Sequence, residues 1–338
     1  MNAVTSSAAS ATGTTGAVLS VADLAVSFGT RRGPAHVVRG VSYDLHAGET
    51  IALVGESGSG KSVSSLALLG LLPQPPAHIS GSIRLDGDQL VGADDDTLRG
   101  VRGNDIAMIF QDPMTSLNPV MPIGRQLTEG MQLHLGLSRA DARTRAVDLM
   151  VKVGIPSPQT RLDDYPHQFS GGMRQRVMIA IGLACDPTVL IADEPTTALD
   201  VTIQAQIIEL VKQLQQDTGT AVLWITHDLG VVAGLADRVM VMYAGQIVEE
   251  ADVQTLYDDP RHPYTRGLLA SLPVLGDVRD GLDSIAGLPP DPVALPPGCA
   301  FWPRCEVRAD TRCQTQMPPL VEVTPGHRVR SFYGGRGV

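Results

Sequence analysis

The most informative segment of this chain is Gly55-Glu56-Ser57-Gly58-Ser59-Gly60-Lys61-Ser62. It fits the pattern Gly-x4-Gly-Lys-Ser/Thr, in which glycines allow successive backbone N–H groups to surround phosphate oxygens. The lysine adds a positive charge beside the outer phosphates, and the serine hydroxyl can bind magnesium. An apolar segment, Thr50–Val54, precedes the stretch and a helix-like run over residues 63–72 follows it. This strand, loop and helix predict a nucleotide-phosphate site in an α/β domain, whereas the loop alone would also fit a flexible Gly/Ser-rich segment.

Two further apolar segments end in polar residues. Residues 188–192 lead into Asp193 and Glu194, and Ala221–Thr226 leads into His227. Buried parallel strands deliver such side chains to one edge of a sheet, where ligands bind. Asp193 would then help to hold magnesium, and Glu194 would polarise the water that attacks a terminal phosphate. The alternative is an exposed strand end with two solvated acids.

A third motif, Ser170-Gly171-Gly172-Met173, stands at the start of a helix-like run over residues 173–185. Free N–H groups and the positive end of the helix dipole at such a start attract an anion. The motif therefore predicts a second phosphate-binding surface, although an ordinary capped helix would show the same serine and glycines.

An amphipathic helix is predicted after the two acids. Ile203, Ile207, Leu210 and Leu214 recur at the spacing of one helical face, and Gly219 is suited to end the helix. We expect this face to pack against the sheet.

About 130 residues separate the phosphate-binding stretch from the paired acids, which is more than one βαβ step needs. A helical insertion that carries the Ser-Gly-Gly motif is therefore expected.

Together these motifs, with Phe169 before the Ser-Gly-Gly-Met sequence, resemble the ATPase subunit of an ATP-binding-cassette (ABC) transporter. The resemblance implies an α/β P-loop NTPase fold: an ABC nucleotide-binding domain with a RecA-like core, an antiparallel β subdomain and a helical subdomain, plus a short C-terminal extension. It implies ATP and Mg²⁺ as ligands. The implied nucleotide-binding residues are Phe28, Gly55, Ser57, Gly58, Ser59, Gly60, Lys61, Ser62, Val63, Ser170, Gly171, Gly172, Met173 and Asp200; the implied magnesium residues are Ser62, Gln111 and Asp193.

The resemblance also gives individual roles. Glu194 would be the hydrolytic residue, His227 would contact the terminal phosphate, and Gln111 would sense magnesium and nucleotide while touching a membrane partner. Phe28 matches an aromatic ring that stacks on adenine, although a core phenylalanine fits the position equally well. The Ser-Gly-Gly motif would complete a site whose phosphate loop belongs to a second cassette ATPase, and Asp200 would lie in the loop that crosses that interface.

The C-terminal part of the sequence narrows the resemblance to one group of ABC ATPases. Arg261-His262-Pro263-Tyr264-Thr265-Arg266-Gly267-Leu268-Leu269 is similar to a segment shared by ATPases of oligopeptide, dipeptide and nickel importers. The implied partners are a second ABC ATPase subunit, identical or homologous, two transmembrane permease subunits and an extracytoplasmic peptide-binding protein. A nickel or metal-chelate importer is one alternative. A soluble, non-transport ABC ATPase and an export ATPase are others, but the chain has neither paired cassettes nor fused membrane helices.

The cysteines leave three interpretations open. Cys299, Cys305 and Cys313 resemble ligands of a [4Fe-4S] cluster found in some peptide-importer ATPases. In those ATPases the pattern continues with one more cysteine, but this chain has Ser331 at that place. The alternatives are a cluster with Ser331, solvent or another group as fourth ligand, a zinc site completed by His327, or reduced thiols in a packed tail. Such a cluster would order a tail with too little core of its own. The fourth cysteine, Cys185, is predicted to be a buried hydrophobe.

Composition restricts the partners and the location. The chain has 338 residues and a formal net charge of -10, which argues against a nucleic-acid-binding surface. It contains no run of 18 apolar residues, so we do not expect it to cross a bilayer itself. The first twenty residues lack a basic start and a continuous apolar stretch, which disfavours a secretory signal. A peripheral position at the cytoplasmic face of the inner membrane is expected.

Four segments are predicted along the chain. Residues 1–17 form a disordered N-terminus, residues 18–255 the ABC nucleotide-binding domain, residues 256–298 the importer-type segment with a Pro-rich linker, and residues 299–338 the cysteine-containing tail. The linker is placed over residues 272–297 because prolines and glycines accumulate there.

Overall fold

The computed structural model describes residues 16–197, 200–272, 285–308 and 310–334. Within these ranges the strands, in chain order, are β1 (Ala17–Thr30), β2 (Gly33–His46), β3 (Thr50–Val54), β4 (Ala77–Leu85), β5 (Asp88–Gln89), β6 (Ile106–Ile109), β7 (Val189–Asp193), β8 (Ala221–Thr226), β9 (Arg238–Tyr243), β10 (Gln246–Asp252), β11 (Leu320–Thr324) and β12 (His327–Arg330). The helices are α1 (Lys61–Leu68), α2 (Asp95–Val101), α3 (Pro113–Ser116), α4 (Ile123–His134), α5 (Arg139–Lys152), α6 (Pro158–Arg161), α7 (Gly171–Gly182), α8 (Val201–Thr218), α9 (Leu229–Val232), α10 (Val253–Asp258) and α11 (Pro263–Ala270). Short 3-10 turns occupy Pro166–Gln168, Trp302–Arg304 and Thr311–Gln314.

The larger sheet has the strand order β11-β12-β10-β9-β3-β8-β7-β6. Strands β9, β3, β8, β7 and β6 run parallel, whereas β10, β12 and β11 are joined by antiparallel pairing. Every residue of β3, β7 and β8 is buried, as expected for parallel strands covered on both faces. The carboxyl ends of these three strands meet at one edge, which brings the predicted motifs together.

A second, antiparallel sheet has the order β2-β1-β4-β5. Its long hairpin, β1 and β2, packs on α1 and on one face of the larger sheet around a core that includes Leu24, Leu45, Leu53 and Ile225. Phe28 lies near the end of β1, in register with Ala35 of β2 and Ala77 of β4.

The other face of the larger sheet is covered by helices α4, α5, α7 and α8. The predicted helical insertion is present between β6 and β7. Helix α8 agrees closely with its predicted face: Ile207 and Leu214 are buried, and Gly219 ends the helix in the left-handed conformation, with φ 71°. Val211 is also buried, although the four-residue pattern did not include it.

Some predicted boundaries were wrong. The run over residues 63–72 is helical only as α1, which begins two residues earlier, at Lys61. It ends before Gly70, whose φ of 58° no longer continues a right-handed helix. The helix after the Ser-Gly-Gly motif starts at Gly171 and ends at Gly182, so Cys185 lies beyond it, buried as expected.

The C-terminal tail is built into the rest of the fold. Strands β11 and β12 form a hairpin that extends the larger sheet through β10, and Phe301 shares a core with Val241, Tyr243 and Tyr264. The preceding part of the fold therefore supplies the apolar core that we expected the tail to lack. Residues 1–15, and residues 273–284 of the predicted linker, lie outside the described ranges, and the four-segment division stays a prediction.

Candidate nucleotide-binding site

The phosphate loop, residues 55–62, is held tightly against neighbouring backbone. Gly55 has φ 155° and Gly60 has φ 107°, both in the region that favours glycine. A Cβ atom would lie 2.2 Å from the Met242 carbonyl oxygen at Gly55 and 2.6 Å from the Val37 carbonyl oxygen at Gly60. Ser57 and Gly58 are exposed at the tip of the loop. The glycines therefore serve both the turn and the close approach of β2 and β9.

Lys61 lies inside this loop. Its Nζ atom donates to the carbonyl oxygens of Gly55, at 2.6 Å, and Glu56, at 3.1 Å. Burial lowers the pKa of Lys61, while the nearby carboxylates of Glu194 and Asp193 act in the opposite direction. The site thus holds a cation beside carboxylates, where the charge of a phosphate group could be neutralised.

The loop fits a phosphate ligand. The Ser59 hydroxyl oxygen is buried without a hydrogen-bond partner among the described residues. The first N–H groups of α1 have no acceptor within the helix, because an α-helix leaves those donors free. Orphaned donors at a glycine-rich helix start are what a phosphate group requires.

A hydroxyl and a carboxylate form the predicted magnesium position. The Ser62 hydroxyl donates to Asp193 Oδ1 at 3.1 Å, which joins the start of α1 to the end of β7. Burial raises the pKa of Asp193, and the hydrogen bond from Ser62 opposes this shift. Oxygen ligands of these two kinds suit Mg²⁺, which binds proteins through few side chains and keeps waters and substrate phosphates as its other ligands.

Glu194 is the centre of a second group at the same edge. Its backbone has φ 46°, and its N–H group donates to the Ile225 carbonyl oxygen at 2.8 Å. Carboxylate atom Oε1 lies 3.2 Å from His227 Nδ1, and Oε2 accepts hydrogen bonds from Gln111 Nε2 at 3.0 Å and from Thr197 Oγ1 at 2.9 Å. The structure therefore brings together the three residues that the sequence predicted as catalytic.

Thr197 was missed as a member of this group. Its position three residues after Glu194 is the one signal available in the sequence, because a turn after a strand end returns the chain towards the carboxylate.

The Ser-Gly-Gly motif lies at the junction of α7 and α8. The Ser170 hydroxyl caps α7 by accepting from the Met173 N–H group at 3.3 Å, and Asp200 caps α8 by accepting from Ile203 N–H at 2.9 Å. A Cβ atom at Gly172 would lie 3.1 Å from Ile203, so glycine lets the two helices approach. The nucleotide contacts of these residues stay predictions.

Three predicted nucleotide-binding side chains also contact apolar cores. Phe28 and Val63 are half-buried against the core under the antiparallel sheet, and Met173 packs against the helical core. For Phe28 the structure leaves both interpretations, adenine stacking and core packing, in place.

The three tail cysteines and Ser331 line one cavity of about 20 Å³, room for roughly one water molecule. Burial raises the pKa of Cys299, and it raises that of Cys313 to about 11. In the described part of the chain, no three His, Cys, Asp or Glu side chains lie close enough together to hold a metal ion. His327 is engaged elsewhere, with its Nε2 atom 2.8 Å from Glu249 Oε1. The described side chains therefore form no site for a zinc ion, and their placement gives no support to a [4Fe-4S] cluster.

The fold and this edge of the sheet define an ATP-binding cassette. Among solved structures, the dimeric structure of MJ0796, a bacterial ABC transporter cassette, is similar, with a TM-score of 0.62 and 26% identity, over 70% of this chain and 98% of that one. The family model for ABC transporters matches residues 38–197, and the model for the oligopeptide/dipeptide transporter C-terminal region matches residues 248–313.

The chain is also similar to named relatives. It is 53% identical to the oligopeptide transport ATP-binding protein OppD of Bacillus subtilis, over 93% of this chain and 88% of that protein. It is 51% identical to the dipeptide transport ATP-binding protein DppD of the same organism, over 93% and 92%. The chain therefore belongs to the ABC transporter family, within the ATP-binding proteins that carry the oligopeptide/dipeptide transporter C-terminal region. The predicted fold class, ATPase activity and family are confirmed.

Proposed function

We propose that this chain is the ATP-hydrolysing subunit that energises a bacterial importer of oligopeptides or dipeptides. One observation carries the proposal: Lys61, the Ser62–Asp193 pair and the Glu194 group lie together at one edge of the larger sheet. The match of residues 248–313 to the oligopeptide/dipeptide transporter C-terminal region supports a peptide as cargo.

The residues divide the work at this edge. Lys61 and the N–H groups of the phosphate loop would bind the outer phosphates, and Ser62 with Asp193 would hold Mg²⁺. When bound, the magnesium ion would neutralise charge on those phosphates. Glu194 orients and polarises the attacking water, and its own carboxylate is oriented by Gln111, Thr197 and His227.

Two chains are needed for a complete site in this proposal. The Ser-Gly-Gly motif, with Asp200 nearby, would close on the phosphate loop of a second cassette, identical or homologous. The similar MJ0796 cassette is described as dimeric, which supports such pairing. The pair would act on two transmembrane permease subunits and receive cargo from an extracytoplasmic peptide-binding protein.

The chain would sit peripherally at the cytoplasmic face of the membrane. Among its described helices, none is both long and apolar enough to span a bilayer. ATP and Mg²⁺ are the ligands that we propose. We assign no iron–sulfur cluster to the cysteine cavity, because in the described part of the chain no three His, Cys, Asp or Glu side chains are placed to hold a metal ion.

Lys61→Ala tests the nucleotide half of the proposal. Losing a hydrogen-bonded charge should raise the Kd for MgATP roughly ten- to hundredfold, measured by titration calorimetry. Lys152→Ala is the matched control, because Lys152 is an exposed residue at the end of α5. Equal affinities of the two variants would contradict the assignment of Lys61.

Peptide uptake tests the transport half. A strain without this chain should fail to take up a radiolabelled tripeptide, and plasmid-borne wild-type chain should restore uptake, whereas Lys61→Ala and Glu194→Gln should not. Nickel uptake is measured in the same strains. If the deletion strain takes up peptide normally but no longer takes up nickel, the chain would be the ATPase of a metal importer.

Purification in mild detergent should recover two multi-span permeases together with the tagged chain. Recovery of ribosomes or nucleic acid instead would contradict a transport role.

A further inference from the structure

Glu56, the second residue of the phosphate loop, is held by the C-terminal region. Its carboxylate accepts two hydrogen bonds from the Arg304 guanidinium, Nη1 to Oε2 at 2.7 Å and Nη2 to Oε1 at 2.9 Å. Its backbone N–H group donates to the Tyr264 hydroxyl at 2.8 Å. Both the side chain and the main chain of one loop residue are therefore fixed by residues more than 200 positions later in sequence.

Arg304 is itself rigidly placed. Its side chain is 5% exposed, and it donates to the carbonyl oxygens of Ala286, at 2.9 Å, and Ile285, at 3.1 Å. The guanidinium carbon lies 5.7 Å from the ring centroid of Tyr243 and 5.9 Å from that of Phe301. A bidentate pair with these supports is ordered, unlike an ordinary surface ion pair.

An aromatic cluster joins the same two regions. Tyr243, at the end of β9, has its ring centroid 4.6 Å from that of Tyr264 and 5.2 Å from that of Phe301. Tyr264 is fully buried. The hydroxyl that holds the Glu56 N–H group is therefore fixed by packing between the sheet, α11 and the tail.

The backbone of Glu56 is also linked to Lys61. While its N–H group binds Tyr264, its carbonyl oxygen accepts from Lys61 Nζ at 3.1 Å. The Glu56 side chain adds a negative charge to a loop whose ligand is itself anionic. Arg304 neutralises that charge and orients the residue whose carbonyl group holds the phosphate-binding lysine.

We propose that Arg304, assisted by Tyr264, is a positioning residue for the phosphate loop, so that the C-terminal region sets the affinity of the cassette for ATP. This role rests on the proposed function of residues 55–62 and assigns the tail a part in it. Without Arg304 the negative charge of the Glu56 carboxylate would be left uncompensated in the loop that holds Lys61. Arg304 acts through Glu56 and need not touch the nucleotide.

The test is a double-mutant cycle on the full-length chain. MgATP affinity is measured by titration calorimetry in a Glu194→Gln background, which prevents turnover, for Arg304→Gln, Glu56→Gln and both together. Arg304→Gln should raise the Kd on the order of tenfold, and the increase should shrink at high salt. In the Glu56→Gln background the same change should have little effect, because no carboxylate is left to neutralise.

Controls separate positioning from folding. Arg312→Gln removes another tail arginine, which pairs with Asp310 and lies over the Phe332 ring, and should leave the Kd unchanged. Arg304→Lys keeps the charge but not the two-pronged geometry and should give an intermediate Kd. If Arg304→Gln does not fold, Tyr264→Phe serves instead: it keeps the ring and removes the acceptor of the Glu56 N–H group, and should raise the Kd by a smaller factor.

The outcomes are distinct. Wild-type affinity in folded Arg304→Gln, or an equal loss of affinity with and without the Glu56 carboxylate, would overturn the positioning role while leaving the ATP site intact. If the single variants Tyr264→Phe and Arg304→Lys both bind MgATP with wild-type affinity, the positioning role would be overturned as well. Absence of MgATP binding by the Glu194→Gln parent and the wild-type chain would instead overturn the proposed function.

Discussion

Two glutamate–histidine pairs lie on the larger sheet, and they differ in burial. Glu194 and His227 are 3.2 Å apart, with side chains 15% and 55% exposed. Glu249, in β10, and His327, in β12, are 2.8 Å apart, with side chains 0% and 2% exposed. The same two residue types therefore form an open pair at the carboxyl edge of the parallel strands and a closed pair between β10 and β12 of the tail hairpin.

The remaining partners of the two carboxylates explain the difference. Glu249 also accepts from the backbone N–H groups of Arg261, at 2.7 Å, and His262, at 2.8 Å, which fixes the turn before α11. Glu194 accepts instead from the side chains of Gln111 and Thr197. Side-chain donors at an open edge can be exchanged for water or substrate, whereas buried backbone donors cannot. Burial and the kind of donor thus separate the carboxylate that we propose to be reactive, Glu194, from the structural one, Glu249.

Replacing Glu194 by Gln should give the largest effect. The amide keeps the size of the side chain but cannot polarise water as a base, so ATP turnover should fall about 10²- to 10⁴-fold while MgATP still binds. Phosphate release is measured at equal concentrations of folded protein. Glu209→Gln, at an exposed position on α8, is the control. Wild-type turnover in Glu194→Gln would contradict a hydrolytic role for the open pair.

Replacing Glu249 by Ala should chiefly affect stability. The change leaves the buried His327 imidazole, the buried N–H group of His262 and the partly buried N–H group of Arg261 without their partner, which should lower the free energy of unfolding by about 3–5 kcal/mol. Denaturant unfolding followed by circular dichroism measures the loss. The same truncation at Glu194 should cost less than about 1 kcal/mol, because that side chain keeps access to water. Equal losses at the two positions would remove the distinction between the pairs.

Replacing the histidine of each pair should separate an effect on turnover from an effect on stability. His227→Ala should reduce turnover roughly tenfold, which is the effect of one hydrogen bond to a charged group, with little change in stability. His327→Ala should leave turnover per folded molecule unchanged and lower the free energy of unfolding by about 1–3 kcal/mol. Measuring both quantities for both variants gives a two-by-two test. A turnover defect in folded His327→Ala would show that the closed pair also serves catalysis.

His262 predicts a pH dependence next to the closed pair. Burial lowers the pKa of His262 to about 4, and Arg330 and Arg266 act in the same direction, while Glu249 opposes the shift. The unfolded chain therefore binds a proton at this residue between pH 6.5 and 4 that the folded chain does not. Stability should fall as the pH falls through that window, by on the order of 1 kcal/mol between about pH 6.5 and 5.

His262→Asn should lose this part of the slope, because Asn can still cap α11 by accepting from the Tyr264 N–H group, as His262 Nδ1 does at 3.1 Å. Urea unfolding at several pH values measures it. His78→Asn, at an exposed position in β4, should keep the wild-type slope; an unchanged slope in His262→Asn would contradict a neutral, buried imidazole.

The open edge was largely predictable from the sequence. Strands β3 and β8 have the predicted limits, and each leads directly into a motif, so local pattern and chain direction together place Lys61 and His227. The predicted face of α8 appears because its spacing of 3.6 residues is also local. Chemistry attached to regular elements can be inferred from such patterns.

The closed pair was not predictable. Glu249 lies in a strand whose limits carry no motif, and its partner His327 is 78 residues away, so no local spacing joins them. His327 was considered as a zinc ligand because cysteines lie near it in sequence, but the register of β12 against β10 places it on Glu249. The Arg304–Glu56 contact was missed for the same reason, since long-range pairs depend on how the tail docks.

Amide hydrogen exchange of Glu194→Gln, with and without MgATP, tests most directly whether the open edge serves the nucleotide and the closed pair serves the fold. The expected result is increased protection at residues 55–62 and around Gln111 and Glu194, with unchanged, already strong protection of β10 and β12. Unchanged exchange in the phosphate loop, with the main response in β10 and β12, would contradict this division between the two pairs.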